Sequence, residues 1–235
     1  MSNFMDFSSD SVNAFELMVD SSGSMEHSVR NVKEGLGLYR RSFQNFPGAG
    51  SVVVSSSRFD DDVYLDDFRP VSEMNTDYEV GGATVLYYAI VKGAEHLKKY
   101  INQVTKAKGV VPRATFIVFS DGEPCQDKMS KSDAKKAIED LNYAGVTTVF
   151  VAFGGAITSN FGKEMGFVST IDVTEKERLV HFLGVELSKS CKEQSQSMKS
   201  LGANFFSQAA NNTKSENFSQ TTTQVLEDTS WIDDI

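Results

Sequence analysis

The amino-acid sequence predicts an α/β fold, and three features of the chain lead to that prediction. Short apolar segments alternate with segments in which apolar residues recur every three or four positions, the pattern of strands followed by amphipathic helices. Residues 114–120 and 146–153 are apolar almost throughout, as expected of parallel strands covered on both faces. Only residues 60–62 separate two further strand segments, and so short a connection permits a hairpin but no parallel crossover.

The first half of the chain supplies a strand, a helix and the hairpin. Residues 14–19 predict a strand, and residues 29–43 predict a helix whose apolar side chains share one face. Residues 52–59 and 63–68 predict the two strands of the hairpin. Because the connection between them is so short, the third strand is expected to run antiparallel to the second.

The second half continues the alternation. A helix that begins at Leu86 is expected to end near Gly109, and Ser130 with Asp133 three residues later is typical of a capped helix start. The remaining assignments, in chain order, are strand 114–120, the helix opened by Ser130, strand 146–153, a weaker strand 167–173 and a last helix from Thr174. This order predicts a Rossmann-like, doubly wound sheet of six mostly parallel strands, with one antiparallel edge strand and helices on both faces.

The composition of the 235 residues argues against several classes of protein. Lys and Arg number 23 against 32 Asp and Glu, and the net charge of -9 disfavours a nucleic-acid binder, which needs a surplus of cations. No apolar run approaches the ~20 residues that cross a bilayer. The two cysteines, Cys125 and Cys191, form no paired motif of the kind that holds zinc. The first residues are acidic and polar, unlike a secretion signal, so we expect a cytoplasmic protein.

The composition changes at about residue 202, which predicts a domain over residues 1–201 and a polar, acidic tail over residues 202–235. Of the 34 tail residues, 16 are Ser, Thr, Asn or Gln, and one Lys stands against five acids. Such a segment buries too little apolar surface to offset its ordering entropy, so we expect it to be largely disordered. Its last five residues, W-I-D-D-I, contain the only tryptophan, Trp231, and could either fray or dock on the domain or on a partner.

Three loops carry short side chains with oxygen atoms. Ligands of a doubly wound sheet bind at the carboxyl ends of its strands, so loops at that edge are candidate sites. The first strand ends in D-S-S-G-S, the long helix follows G-G-A-T, and strand 114–120 ends in S-D-G-E-P. The five candidate ligands in these loops are Asp20, Ser22, Ser24, Thr84 and Asp121. Carboxylate and hydroxyl oxygens suit a hard divalent cation, Mg²⁺ first, with Mn²⁺ or Ca²⁺ as alternatives.

These motifs also occur together, and in this order, in a known family. With D-S-S-G-S, Thr84 in G-G-A-T-V-L-Y-Y-A-I and Asp121 in F-S-D-G-E-P, residues 13–190 resemble the von Willebrand factor A (vWA) domain with an intact metal-ion-dependent adhesion site (MIDAS). The resemblance implies that the five candidate ligands hold the metal and that the metal captures an Asp or Glu side chain of a partner protein. One departure is Tyr88, which stands where the family often carries an acid. It concerns the surroundings of the ligands and not the ligands themselves.

The resemblance implies a binding protein and no enzyme. The absence of a secretion signal suggests the stand-alone intracellular type, known from bacterial and phage assemblies in stress, metal resistance or defence, with the tellurite-resistance group looking similar. Two alternatives stay open: an extracellular adhesin of the same family, and a metal-dependent phosphoryl hydrolase on a similar sheet. The haloacid-dehalogenase type of hydrolase needs a second Asp two residues after the first, where this chain has Ser22, and a serine hydroxyl cannot replace a carboxylate in acid–base catalysis.

An acidic run lies in and after the predicted hairpin turn. Five of the eight residues 60–67 are Asp. Since the second strand is expected to run parallel to the first, the turn should lie on the same face as the metal. We therefore predict partner-binding residues at Asp60, Asp61 and Asp62, and at Glu123 beside the metal ligands. The three turn residues would form a negative rim that selects basic residues around the partner's acid, or would hold a second cation. The plain alternatives are a solvated turn and, for Glu123, an exposed loop acid at a helix entry that is not a metal ligand.

Overall fold

Seven strands form one sheet in the computed structural model, which describes residues 12–154, 157, 159–173 and 176–196. The strands are β1 (Asn13–Asp20), β2 (Val52–Phe59), β3 (Val63–Tyr64), β4 (Arg69–Pro70), β5 (Arg113–Ser120), β6 (Thr147–Phe153) and β7 (Ser169–Val173). Their order is β3-β2-β1-β5-β6-β7, with β4 also paired to β2. All neighbours are parallel except β3 and β4, which run antiparallel to β2. The predicted fold class is confirmed.

The count of seven strands, where six were expected, comes from the predicted third strand. Residues 63–68 do not form one strand, because Asp66 pairs with side chains of β2 and not with its backbone. The hydroxyl oxygen of Ser55, which also contacts Glu16, lies 2.9 Å from the carbonyl oxygen of Asp66, and the N–H of Asp66 donates to the hydroxyl of Ser57 at 3.1 Å. These two serines therefore replace the backbone pairing between the short strands β3 and β4.

Helices cover both faces of the sheet. They are α1 (Val29–Ser42), α2 (Leu86–Lys108), α3 (Lys131–Tyr143), α4 (Ser159–Met165), α5 (Lys176–His181), a π-helical stretch (Phe182–Leu187) and α6 (Ser188–Gln196). The predicted helix ends are found at Gly109, which has a left-handed φ of 71°, and at Ser130, which with Asp133 makes a complete capping box.

Alternate side chains of β1 point to opposite faces of the sheet and belong to two separate apolar cores, as the two-residue period of a strand requires. One core contains Phe15, Leu17 and Val19, which pack with α1 and with the last helical segment, meaning α5, the π-helical stretch and α6 together. The other core contains Ala14 and Met18, which pack with α2, α3 and α4. Because β1 is central and covered on both sides, it cannot slip in register without exposing one of these cores. Its carboxyl end is therefore held in a fixed position.

One charged side chain interrupts the core beneath α2. Glu16 of β1 is fully buried and accepts hydrogen bonds from the hydroxyls of Ser55 at 2.9 Å and Ser57 at 2.7 Å. His96 of α2 contacts its other carboxylate oxygen through Nδ1 at 2.8 Å. Burial raises the pKa of Glu16, against the opposing effect of these partners. The cluster ties the edge strand β2 to β1 and α2.

No helix among the described residues combines the length and hydrophobicity needed to cross a bilayer. The predicted boundary at residue 201 and the predicted tail over 202–235, with Trp231, lie outside the described residues.

Candidate metal centre

Asp20 is the last residue of β1, and it is a buried acid. Its Oδ1 accepts the backbone N–H of Ser22 at 3.0 Å, and its Oδ2 accepts the hydroxyl of Ser120 at 2.6 Å. The phenol of Tyr78 donates to the backbone carbonyl of Asp20. Burial raises the pKa of Asp20 to about 6, and the hydrogen bonds from Ser120 and Ser22 offset only part of that effect.

Two serine hydroxyls continue from Asp20 towards the second acid. The hydroxyl oxygens of Ser22 and Ser24 are 3.0 Å apart, and the hydroxyl of Ser24 donates to Oδ1 of Asp121 at 2.7 Å. Thr84 adjoins them, since a Cβ atom built on Gly122 would lie 3.6 Å from Thr84 Oγ1 and 3.8 Å from Ser24 Oγ. The structure thus brings all five predicted ligands together at the carboxyl ends of β1 and β5.

The loop that carries Thr84 is held from both sides by backbone hydrogen bonds. The N–H of Gly23 donates to the carbonyl of Gly82 at 3.1 Å, which joins this loop to the one after β1. The N–H of Cys125 donates to the carbonyl of Thr84 at 2.8 Å, which joins it to the loop after β5. The three ligand-bearing loops are therefore connected to one another, although they are far apart in sequence.

Asp127 caps the helix that follows Thr84. The first turn of α2 has no side-chain cap of its own, because Val85 stands at the N-cap position. The carboxylate of Asp127 accepts the backbone N–H groups of Tyr87 at 2.5 Å and Tyr88 at 2.9 Å instead. An acid at a helix N-terminus also interacts favourably with the helix dipole. The loop after β5 therefore supplies both the ligand Asp121 and the cap of the helix next to Thr84.

The donor set fits a hard divalent cation. The fully buried Asp20 forms no ion pair with any described residue, and the charge of the nearby Asp121 further raises its pKa. Uncompensated buried charge is unfavourable, so a cation between the two carboxylates would stabilise the site. The described part of the chain has no group of three or more His, Cys, Asp or Glu side chains placed to hold a metal. A cation between these two carboxylates would take its further ligands from the neighbouring hydroxyls or from water, which Mg²⁺ and Mn²⁺ accept.

The acidic turn lies beside the Thr84 loop, and the carboxylate of Asp61 is bonded to that loop. Oδ1 of Asp61 accepts the backbone N–H of Ala83 at 2.7 Å. Oδ2 of Asp62 forms an ion pair with Nζ of Lys128 at 3.1 Å, and Oδ1 of Asp60 accepts the N–H of Asp62 at 3.2 Å. The turn thus supports the loop that carries Thr84, a structural role that the partner-binding prediction did not include.

Two other residues singled out in the sequence lie at the margin of the site. Glu123 is exposed in the loop after Asp121. The ring of Tyr88 faces the ammonium groups of Lys92 at 5.7 Å and Lys128 at 5.1 Å from its centre. Tyr88 therefore takes part in cation–π contacts on the surface of α2.

Sequence reasoning missed three residues that support the site: Ser120, Tyr78 and Asp127. Ser120 could have been suspected, because it precedes Asp121 and ends a buried strand. Tyr78 lies in an irregular segment with no periodic pattern, and the cap at Asp127 belongs to a helix some forty positions earlier in the chain. Neither of these two contacts leaves a pattern in the sequence.

Comparison with known proteins supports the fold. A pilus adhesin, SpaC from Lactobacillus rhamnosus GG, superposes with a TM-score of 0.61 at 13% identity over 78% of this chain and 30% of the adhesin. Manganese-loaded TRAP protein from Plasmodium vivax gives 0.52 at 16% identity over 74% of each chain. Proximal thread matrix protein 1 from the mussel byssus, with a zinc-occupied MIDAS motif, gives 0.52 at 13% identity over 76% of this chain and 48% of that protein.

These similarities support a vWA fold. At such low identities they concern the fold alone, and the chain spans less than a third of the length of the pilus adhesin. No protein-family profile matches the sequence, and no curated protein matches it either.

Proposed function

We propose that this protein is a metal-dependent protein-binding module. Mg²⁺ would be held by Asp20, Ser22, Ser24, Thr84 and Asp121, and the metal would accept an Asp or Glu side chain of a partner as a further ligand. The observation that carries the proposal is the convergence of two carboxylates and three hydroxyls at one edge of the sheet, with Asp20 buried beneath them. The three hydroxyls add no negative charge, so the cation keeps positive charge when one of the two carboxylates binds it only through water, and a partner carboxylate would neutralise that charge.

A binding role is proposed in preference to phosphoryl hydrolysis because the site offers no group for acid–base catalysis in the required position. Ser22 stands where a hydrolase of the haloacid-dehalogenase type needs its second Asp. The hydroxyl of Ser22 forms a hydrogen bond with the hydroxyl of Ser24 and cannot replace a carboxylate as an acid or base. The intracellular setting, in a bacterial or phage assembly, stays a prediction. Cell fractionation with an antibody against the chain would distinguish it from an extracellular adhesin.

The test uses a displayed library of random peptides, panned against the full chain in Mg²⁺ and eluted with EDTA. We expect Asp or Glu at one position of the selected peptides, because the metal needs an anionic oxygen ligand. Asp20→Ala and Asp121→Ala should abolish both Mn²⁺ binding, measured by calorimetry, and peptide capture, while the far-ultraviolet circular dichroism stays unchanged. Selected peptides without an acid, or full capture by either variant, would refute the mechanism.

A further inference from the structure

A groove of about 490 Å³ lies between the end of α1 and the last helical segment, on the face of the sheet opposite α2. Leu38, Gly184 and Val185 line it with apolar surface. The helices approach each other closely here, since a Cβ atom on Gly184 would lie 2.6 Å from the Cβ of Leu38. The groove is separate from the candidate metal centre and belongs to different elements.

Three cations and one acid border this groove, Arg41, Lys189 and Lys192 against Glu193, which leaves an excess of positive charge. In the part of the chain that the structure describes, none of them forms an ion pair. Nζ of Lys192 lies 5.1 Å from the ring centre of Phe43 and 5.9 Å from that of Phe46. An ammonium group held over two aromatic rings is partly desolvated, so a nearby anion would stabilise it.

The chain itself provides a segment of complementary chemistry. The described chain reaches Gln196, three residues beyond Glu193 on the groove wall, and residues 202–235 carry one Lys against five acids. Residues 231–235, W-I-D-D-I, combine an indole and two isoleucines with two carboxylates. An extended chain covers roughly 3.3 Å per residue, so the residues between Gln196 and Trp231 are more than long enough to return to the groove.

We propose that residues 231–235 dock in this groove. Trp231 lies against Leu38 and Val185, and Asp233 and Asp234 face the three cations. The volume suits an aromatic side chain with an aliphatic neighbour. This docking does not involve the metal. The groove is therefore a second binding surface of the domain. Residues 231–235 would compete there with any acidic, aromatic peptide of another protein.

Trp231 reports directly on the proposal because it is the only tryptophan of the chain. In the full chain at low salt we expect a blue-shifted emission maximum and weak quenching by acrylamide. The double variant Arg41→Glu/Lys192→Glu should shift the emission to the red and raise the quenching constant. The matched control is Lys99→Glu/Lys106→Glu, which makes the same charge change on exposed positions of α2 and should leave the emission unchanged.

A second pair of substitutions distinguishes loss of docking from misfolding of the groove. Asp233→Lys/Asp234→Lys alters only the docking segment and should also release Trp231, and combining it with the groove variant should restore protection. Equal quenching of Trp231 in all variants would overturn the proposal. Protection of Trp231 from acrylamide that rises with protein concentration would also overturn the proposal, because the segment would then bind a second copy of the chain. The same holds for protection that EDTA removes and the groove variants do not, because the segment would then lie at the metal.

Discussion

The carboxylate of Asp127 accepts the backbone N–H of Tyr87 at 2.5 Å, and this contact joins the loop of one metal-ligand candidate to the helix that follows another. Asp121 precedes Asp127 in the same loop, and Thr84 precedes Tyr87. The two loops are therefore linked by a hydrogen bond between a helix end and a carboxylate. We therefore expect Asp127 to influence how the two candidate ligands are positioned relative to each other.

Asp127→Ala is expected to weaken the affinity for Mn²⁺ by roughly tenfold, because residues that orient metal ligands typically have effects of that size. The measurement is calorimetric titration with Mn²⁺, and hydrogen exchange of the Tyr87 and Tyr88 amides should speed up. Asp133→Ala is the matched control. It removes the capping box of α3, at a similar cost of about 1 kcal/mol, and should leave the Mn²⁺ affinity unchanged. Equal losses of affinity in both variants would show that the effect is only one of stability.

The stability of the metal-free protein should depend on pH through Asp20. Its pKa is raised from the usual 3.8 to about 6 in the folded state, so the folded state binds this proton more tightly than the unfolded state. The contribution is fully present below the unfolded pKa and is lost as the pH rises through about 6, amounting to roughly 3 kcal/mol.

Urea unfolding at a series of pH values checks this expectation. Asp20→Asn should remove the share of the decrease that Asp20 contributes, whereas Glu16, whose pKa is raised as well, should keep a share of its own. Mn²⁺ affinity of the unchanged protein should fall below about pH 6, because the cation competes with the proton on Asp20. The same affinity at acidic and neutral pH would exclude Asp20 as a group that must ionise.

Gly82→Ala is expected to displace the Thr84 loop. Gly82 has a φ of 69°, and a Cβ atom there would lie 2.5 Å from Oδ2 of Asp61. Gly109→Ala is the control that introduces backbone strain without a clash, because Gly109 has a φ of 71° and no atom within 4 Å of the new Cβ. Both variants should lose about 1 kcal/mol of stability through backbone strain, Gly82→Ala should lose more because of the clash, and only Gly82→Ala should lose Mn²⁺ affinity. Unchanged affinity in Gly82→Ala would mean that Asp61 does not hold the loop.

Gly162→Ala tests core packing away from the site. The added Cβ would lie 2.7 Å from the Cβ of Phe150, which is fixed to the backbone of β6, and 2.8 Å from Cγ2 of Thr170. We expect a loss of about 1–3 kcal/mol in urea unfolding, with Mn²⁺ affinity retained. Gly37→Ala in α1 meets only the flexible end of Arg41 at 3.4 Å and should instead gain stability through helix propensity. Similar stabilities of the two variants would contradict this packing.

The sequence determined most of the fold and brought the candidate ligands to attention, because both depend on short-range patterns. The alternation of strands and helices and the three-residue hairpin connection fix a mostly parallel sheet, and parallel strands align their carboxyl ends. Asp20, Thr84 and Asp121 were for that reason expected on one edge. Metal binding by these residues stays a prediction.

Only the tertiary structure decided which side chains support that edge. The hydroxyls of Ser55 and Ser57 divide the third strand, Asp127 caps a helix that begins some forty residues earlier, and Asp61 holds the loop before Thr84. Each contact joins residues whose separation in the chain follows no period, so no local pattern encodes it. The sequence showed which residue types could bind a metal. How firmly the fold positions these side chains depends on long-range hydrogen bonds, which form only when the sheet is assembled.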